Sequence, residues 1–155
     1  ESRILSMALV HQKLYESNDL SQIELKSYIK DLFRFIESYE INKPKIIIDI
    51  QENIMLDVEM AVPIGLIVSE LIIDSQKHAF KDTPNPSILF KSSFKKNKLM
   101  IEYSDNGCGL SDDFSLDKSG QLGLKMAKNI AENQLKGTFE ILSKSGFLCR
   151  LSFIP

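Results

Sequence analysis

Pro63-Ile-Gly-Leu-Ile-Val-Ser-Glu-Leu-Ile-Ile-Asp-Ser-Gln-Lys-His-Ala-Phe80 is the stretch around which the rest of the chain is read. A proline is tolerated in a first helical turn, so the spacing predicts a helix starting near Pro63 and running to about Phe80. Ile64, Leu66, Ile67, Val68, Leu71, Ile72 and Ile73 make most of it apolar. Against that background Glu70, Asp74, Lys77 and His78 stand at i, i+4, i+7 and i+8, on one face of an α-helix. A helix that is otherwise buried and carries one ionisable face is expected to line a polar site. Two carboxylates at i and i+4 repel each other by a few tenths of a kcal/mol. Lys77 or a bound cation would relieve that. The competing reading is a solvent-facing stripe on a surface helix.

Two further stretches downstream carry chemistry. Asp105-Asn106-Gly107-Cys108-Gly109-Leu110 follows an alternating run that reads as a strand. Glycine allows backbone to approach a ligand closely, and an aspartate at a strand end can accept a hydrogen bond from an amino group such as that of adenine. By itself Asp-x-Gly-x-Gly is also a common turn, and it lacks the alternating acidic positions of an EF-hand. Ser119-Gly120-Gln121-Leu122-Gly123-Leu124 feeds directly into a helix over about 122–135. Free N–H groups at a helix start suit phosphate. The stretch is neither a Walker A sequence nor a Rossmann fingerprint, and alone it could be a loop packing its leucines.

The remaining elements frame these three. Upstream, Ile4, Met7, Ala8, His11, Leu14 and Tyr15 form a narrow apolar stripe on a first helix, which Ser17-Asn18-Asp19 ends. Ser21-Gln22-Ile23-Glu24 has the form of a capping box, and Leu25, Tyr28, Ile29, Leu32, Ile36 and Tyr39 give a second amphipathic helix. The boundary falls at Asn42-Lys43-Pro44, dividing a helical region 1–40 from a domain 41–155. Lys45–Ile50 reads as a strand and residues 81–86 as a loop. Ser87–Phe94 with Lys98–Ser104 reads as a hairpin. Gly137 is the expected C-cap of the last helix, and Thr138–Leu142 with Phe147–Phe153 closes the chain as a second hairpin. These elements amount to an α+β two-layer sandwich, with a mixed, mostly antiparallel sheet and helices on one face.

Composition narrows the function classes. The 155 residues suffice for one domain with a real core, and a net charge of −2 gives no basis for nucleic-acid binding. Cys108 and Cys149 have neither metal-ligand nor disulfide-framework spacing, and no apolar run reaches the roughly 18 residues of a membrane span. Beginning at Glu1 inside a helical pattern, the chain is expected to be a fragment of a longer protein.

An acidic helix, then Asp-x-Gly-x-Gly after a strand, then Leu-Gly-Leu opening a helix, resembles in that order the GHKL ATPase superfamily, whose fold is the Bergerat sandwich. Glu70 to Phe80 resembles the N box of one histidine-kinase subclass, written E-L-x-x-N-A-x-K-H-A-F, and Ser2 to Tyr15 resembles the second dimerisation helix of the same subclass. The resemblance covers nearly the whole chain.

The resemblance implies an ATP-binding catalytic domain of a two-component sensor histidine kinase, a cytoplasmic protein-histidine kinase using ATP and Mg²⁺. It implies a response regulator as partner and a homodimer in the intact protein. It implies Glu70 as the catalytic carboxylate, Asp74 as Mg²⁺ ligand, Lys77 on phosphates and His78 near adenine or ribose. Asp105 is then the adenine anchor, Gly107 and Gly109 shape its pocket, Gly123 and Leu124 begin the phosphate-side loop, and residues 111–121 supply a lid. Two positions depart from the family pattern. Asp74 stands where Asn is usual, and Gly146-Phe147 stands where Gly-Thr often places a hydroxyl near the aspartate. Both favour an alternative, a degenerate non-catalytic domain acting in dimerisation or partner binding. His11 sits on an apolar stripe without the acceptor motif of the subclass, so it is read as a packed or hydrogen-bonded histidine and the acceptor as lying on a helix absent from this chain.

Overall fold

A computed structural model describes residues 2–16, 21–37, 43–116, 122–143 and 145–155. The elements in chain order are α1 (Ser2–Glu16), β1 (Gln22–Glu24), α2 (Leu25–Glu37), β2 (Lys45–Ile50), β3 (Met55–Asp57) and α3 (Val58–Asp74). There follow β4 (Ser87–Lys95), β5 (Lys98–Asp105), α4 (Leu122–Asn129), β6 (Thr138–Ser143) and β7 (Phe147–Phe153). A π-helical turn extends α3 over Ser75–Ala79 and another extends α4 over Ile130–Gln134.

Five strands form one sheet in the order β2-β4-β5-β7-β6, with β2 parallel to β4 and every other pair antiparallel. Period-two alternation sends one row of side chains inward: Phe90, Tyr103 and Cys149 share one cross-strand row, and Ile88, Asp105 and Phe147 the next. All six are buried. A carboxylate therefore stands on the core face of the sheet, at the end of its central strand. The helices cover that face, giving the expected two-layer sandwich.

The second-helix stripe packs as its period requires. Leu25, Tyr28, Ile29 and Leu32 are fully buried, while Tyr39 lies outside the described residues. The closeness of α2 to α3 depends on Gly65, where a Cβ would stand 1.8 Å from the Tyr28 hydroxyl oxygen. Lys13 of α1 bonds both Ser27 (2.8 Å) and Asp31 of α2, tying these helices together.

Several boundaries differ from the sequence reading. Three of the four residues read as a capping box, Gln22–Glu24, form β1, which pairs with β3, and Glu24 rather than Ser21 caps α2 by accepting from Ser27 N–H at 2.9 Å. Helix α3 starts at Val58, five residues before Pro63, because Asp57 caps it by accepting from Met60 N–H at 2.9 Å. The C-terminal reversal after α4 falls on Lys136, with φ 53°, and not on Gly137, which instead lies against Ser152 of β7.

Among the described side chains of α1, Leu9 and Val10 are buried, while Ile4 and Tyr15 of the stripe read as apolar face out, 76% and 75% exposed. Ala8 and His11 are exposed as well, so His11 is not packed into the body of the protein; its ring lies 4.8 Å from that of Tyr15. The Leu14 side chain, Ser17-Asn18-Asp19 and Asn42 of the boundary lie outside what the structure describes.

Candidate active site

Asp105 is the pivot of the site. It is 7% exposed, and a carboxylate so placed must be hydrogen-bonded to be tolerated. Its Oδ1 accepts from Gly107 N–H (2.9 Å) and Phe147 N–H (3.4 Å), and its Oδ2 accepts from the Ser75 hydroxyl (2.6 Å). Ser75 in turn accepts from the Tyr103 hydroxyl at 2.8 Å. Burial pushes the Tyr103 phenol well above its usual range, so it stays a donor.

The loops around Asp105 are held by close backbone contacts. Gly107 lies on the end of the α3 extension, where a Cβ would come 2.4 Å from the Ala79 Cβ, and Cys108 N–H bonds Ala79 O at 3.0 Å. Gly146, at φ +98°, folds the last hairpin over the strand end, where a Cβ would lie 2.2 Å from Asp105 O. Ser143 Oγ joins the two loops, accepting from Leu110 N–H (2.8 Å) and donating to Gly146 O (3.2 Å).

The acidic end of α3 borders the same place. Glu70 and Asp74 are half-buried on the last turns of the α-helix, whereas Lys77 and His78 are exposed on the π-helical turn that follows. The expected single α-helical face is thus widened at its end, as π-turns often do at functional sites. Burial pushes the Asp74 carboxyl above the ordinary carboxylate range; His78 and Lys77 oppose this, and Asp105 and Glu70 add to it. Asp74 is therefore within electrostatic reach of Glu70, Lys77, His78 and Asp105.

Helix α4 starts at Leu122, and Gly123 lies in its first turn against Glu70, where a Cβ would be 2.7 Å from Glu70 Oε2. The start of a helix, with its free N–H groups, thus faces the acidic cluster. The Leu124 side chain is fully buried in the core, so its backbone is the part that could meet a ligand. Gly109 has φ +70° and a Cβ there would crowd Ser143, so it shapes the junction with the last hairpin. Of the expected lid, residues 117–121 lie outside the described part of the chain, as do Ser119, Gly120 and Gln121 of the loop before α4.

A family model described as "Histidine kinase" (HisKA_2) matches residues 1–39. The sensor histidine kinase PdtaS of Mycobacterium tuberculosis is 28% identical over 138 residues, covering 88% of this chain and 27% of that protein. Among solved structures, the histidine kinase domain of the Erythrobacter litoralis EL346 blue-light-activated histidine kinase superposes with a TM-score of 0.84 at 21% identity. That match covers 99% of this chain and 73% of the other. The catalytic domain of histidine kinase ThkA matches with a TM-score of 0.72 at 15% identity, covering 86% of this chain and 95% of that one.

The chain is a relative of the sensor histidine kinases.

Its fold is that of their catalytic domain, and it spans about a quarter of the length of PdtaS. Sequence reading of this kinase relative missed Ser75, Tyr103 and Ser143. Tyr103 was within reach, because period two puts it on the same face of β5 as Asp105.

Proposed function

We propose that this chain binds ATP and donates its γ-phosphate to a histidine on a helix outside the chain, as the catalytic domain of a two-component sensor histidine kinase. The observation that carries the reading is Asp105. An inward-facing carboxylate at a strand end, gripped by Ser75, Gly107 and Phe147, keeps one acceptor site of Oδ2 for an amino group such as that of adenine. From that anchor the nucleotide would extend past His78 and Lys77 towards the start of α4, where backbone N–H groups and Lys77 would take phosphate charge. Glu70, beside that helix start, is the carboxylate to orient the acceptor imidazole and take up its proton.

Mg²⁺ suits this site as a companion of the nucleotide. Among the described residues no three His, Cys, Asp or Glu side chains gather as a cage, and Mg²⁺ commonly takes one or two carboxylates with phosphate oxygens. Asp74, a half-buried carboxylate lacking enough positive charge nearby to offset its burial, is the residue to hold it. The ion would neutralise phosphate charge. Gly107, Gly109 and Gly123 let backbone come close to the ligand, and Leu124 contributes through its backbone.

The partners in this reading are ATP or ADP, a response regulator and a second copy of the parent protein, in the cytoplasm and without nucleic acid. No described helix is long and apolar enough to cross a membrane. The second reading, a non-catalytic domain, is favoured by Asp74 in place of Asn and by Phe147, whose buried ring lies edge-on to Tyr103 with ring centres 6.4 Å apart. Incubating the full-length gene product with γ-labelled ATP separates the two. The kinase reading expects an acid-labile, base-stable label on histidine, reduced at least about a hundredfold in Glu70→Gln. Absence of label despite ATP binding would favour the non-catalytic domain.

A further inference from the structure

We infer that Ser75 and Tyr103 are the positioning residues of the nucleobase pocket, acting as a two-hydroxyl relay that holds Asp105 as an acceptor aimed at an exocyclic amino group. This rests on the nucleotide reading above. The hydrogen-bond chemistry permits one arrangement. A carboxylate can only accept, so the proton on the 2.6 Å contact comes from Ser75; a serine hydroxyl has a single proton, so on the 2.8 Å contact it accepts from Tyr103. Both hydroxyls are thereby committed, and neither is left to donate to the ligand.

The same helix supplies the contrast. Ser69, also buried, sends its hydroxyl back to Gly65 O at 2.7 Å, the ordinary choice for a serine inside a helix. Ser75 does otherwise. It stands where α3 passes into the π-helical turn, and its hydroxyl crosses to the sheet instead. Tyr103 is fully buried one inward position before Asp105, so it approaches Ser75 from the strand that carries the aspartate. Phe147, in place of a hydroxyl-bearing residue, gives Asp105 only a long backbone contact of 3.4 Å. Ser75 is therefore the side chain that fixes the carboxylate.

The test titrates the native 155-residue chain, Ser75→Ala, Ser75→Thr and Tyr103→Phe with ADP and with inosine diphosphate, which carries a 6-oxo group where adenine has its amino group. Melting curves check that each variant is folded. The native chain is expected to prefer ADP. Ser75→Ala should lose about tenfold in ADP affinity with little change for inosine diphosphate, Ser75→Thr should restore the preference, and Tyr103→Phe should show a smaller loss of the same kind. Equal losses for both nucleotides, or an unchanged preference in folded Ser75→Ala, would overturn the relay while leaving the nucleotide site standing. Native protein that binds neither nucleotide would overturn both.

Discussion

Asp74 shows at the scale of one residue how the site stores a conflict. Its carboxyl is raised above the usual range chiefly by burial, with Asp105 and Glu70 contributing. A carboxyl whose folded pKa is raised stabilises the fold while protonated, and that contribution is lost as pH rises through the folded value. Ionised Asp74 therefore weakens the free protein at neutral pH. Asp74→Asn is expected to melt higher than the native chain near about pH 7.5, with the difference closing as pH falls towards about 4. Thermal unfolding across that range checks it, and an equal melting temperature at neutral pH would mean that solvent already relieves the charge. Asp74 and Asp105 were legible in the sequence because carboxylates interrupt apolar patterns. Ser75 was not, since one serine in a helix usually bonds its own backbone, as Ser69 does.

At the scale of elements, the contact between α2 and α3 has a single narrow point. A Cβ at Gly65 would meet the fully buried Tyr28 ring and its hydroxyl. Alanine favours a helix over glycine by up to about 1 kcal/mol, but forcing extra volume into a packed core typically costs about 1–3 kcal/mol. Gly65→Ala is expected to be destabilising, and Tyr28→Phe in the same chain should recover part of the loss. Denaturant midpoints measure both, and a more stable Gly65→Ala would show that the helices separate freely. The strands β4, β5 and β7 were readable because alternation over seven or more residues is a strong signal. The three-residue strands β1 and β3 are too short to show a period. The first helix has two apolar faces, and its sequence does not say that Leu9 and Val10, rather than Ile4 and Tyr15, meet the body.

The whole molecule joins a sheet whose inner face ends in a carboxylate to a helix whose last turns are acidic, with the start of a second helix beside them. Each piece was readable as chemistry from the chain, but their convergence belongs to the tertiary fold: Ser75 and Asp105 are 30 residues apart and bonded at 2.6 Å. An open groove of about 610 Å³ lies along the sheet, lined by Ile47, Leu89, Leu142 and Leu148 among others; Asp105, Gly146 and Phe147 border it, whereas Glu70, Asp74, Lys77 and His78 do not. The proposed nucleotide contacts share Asp105 with this groove and run from it along the acidic end of α3. Calorimetric titration of the native chain and of Asp105→Ala with ATP, with and without Mg²⁺, decides whether Asp105 anchors a nucleotide. The proposal expects binding in the micromolar range that strengthens with Mg²⁺ and is reduced at least about tenfold in Asp105→Ala. Native protein that takes up no ATP, or an Asp105→Ala variant that binds as tightly as the native chain, would contradict it.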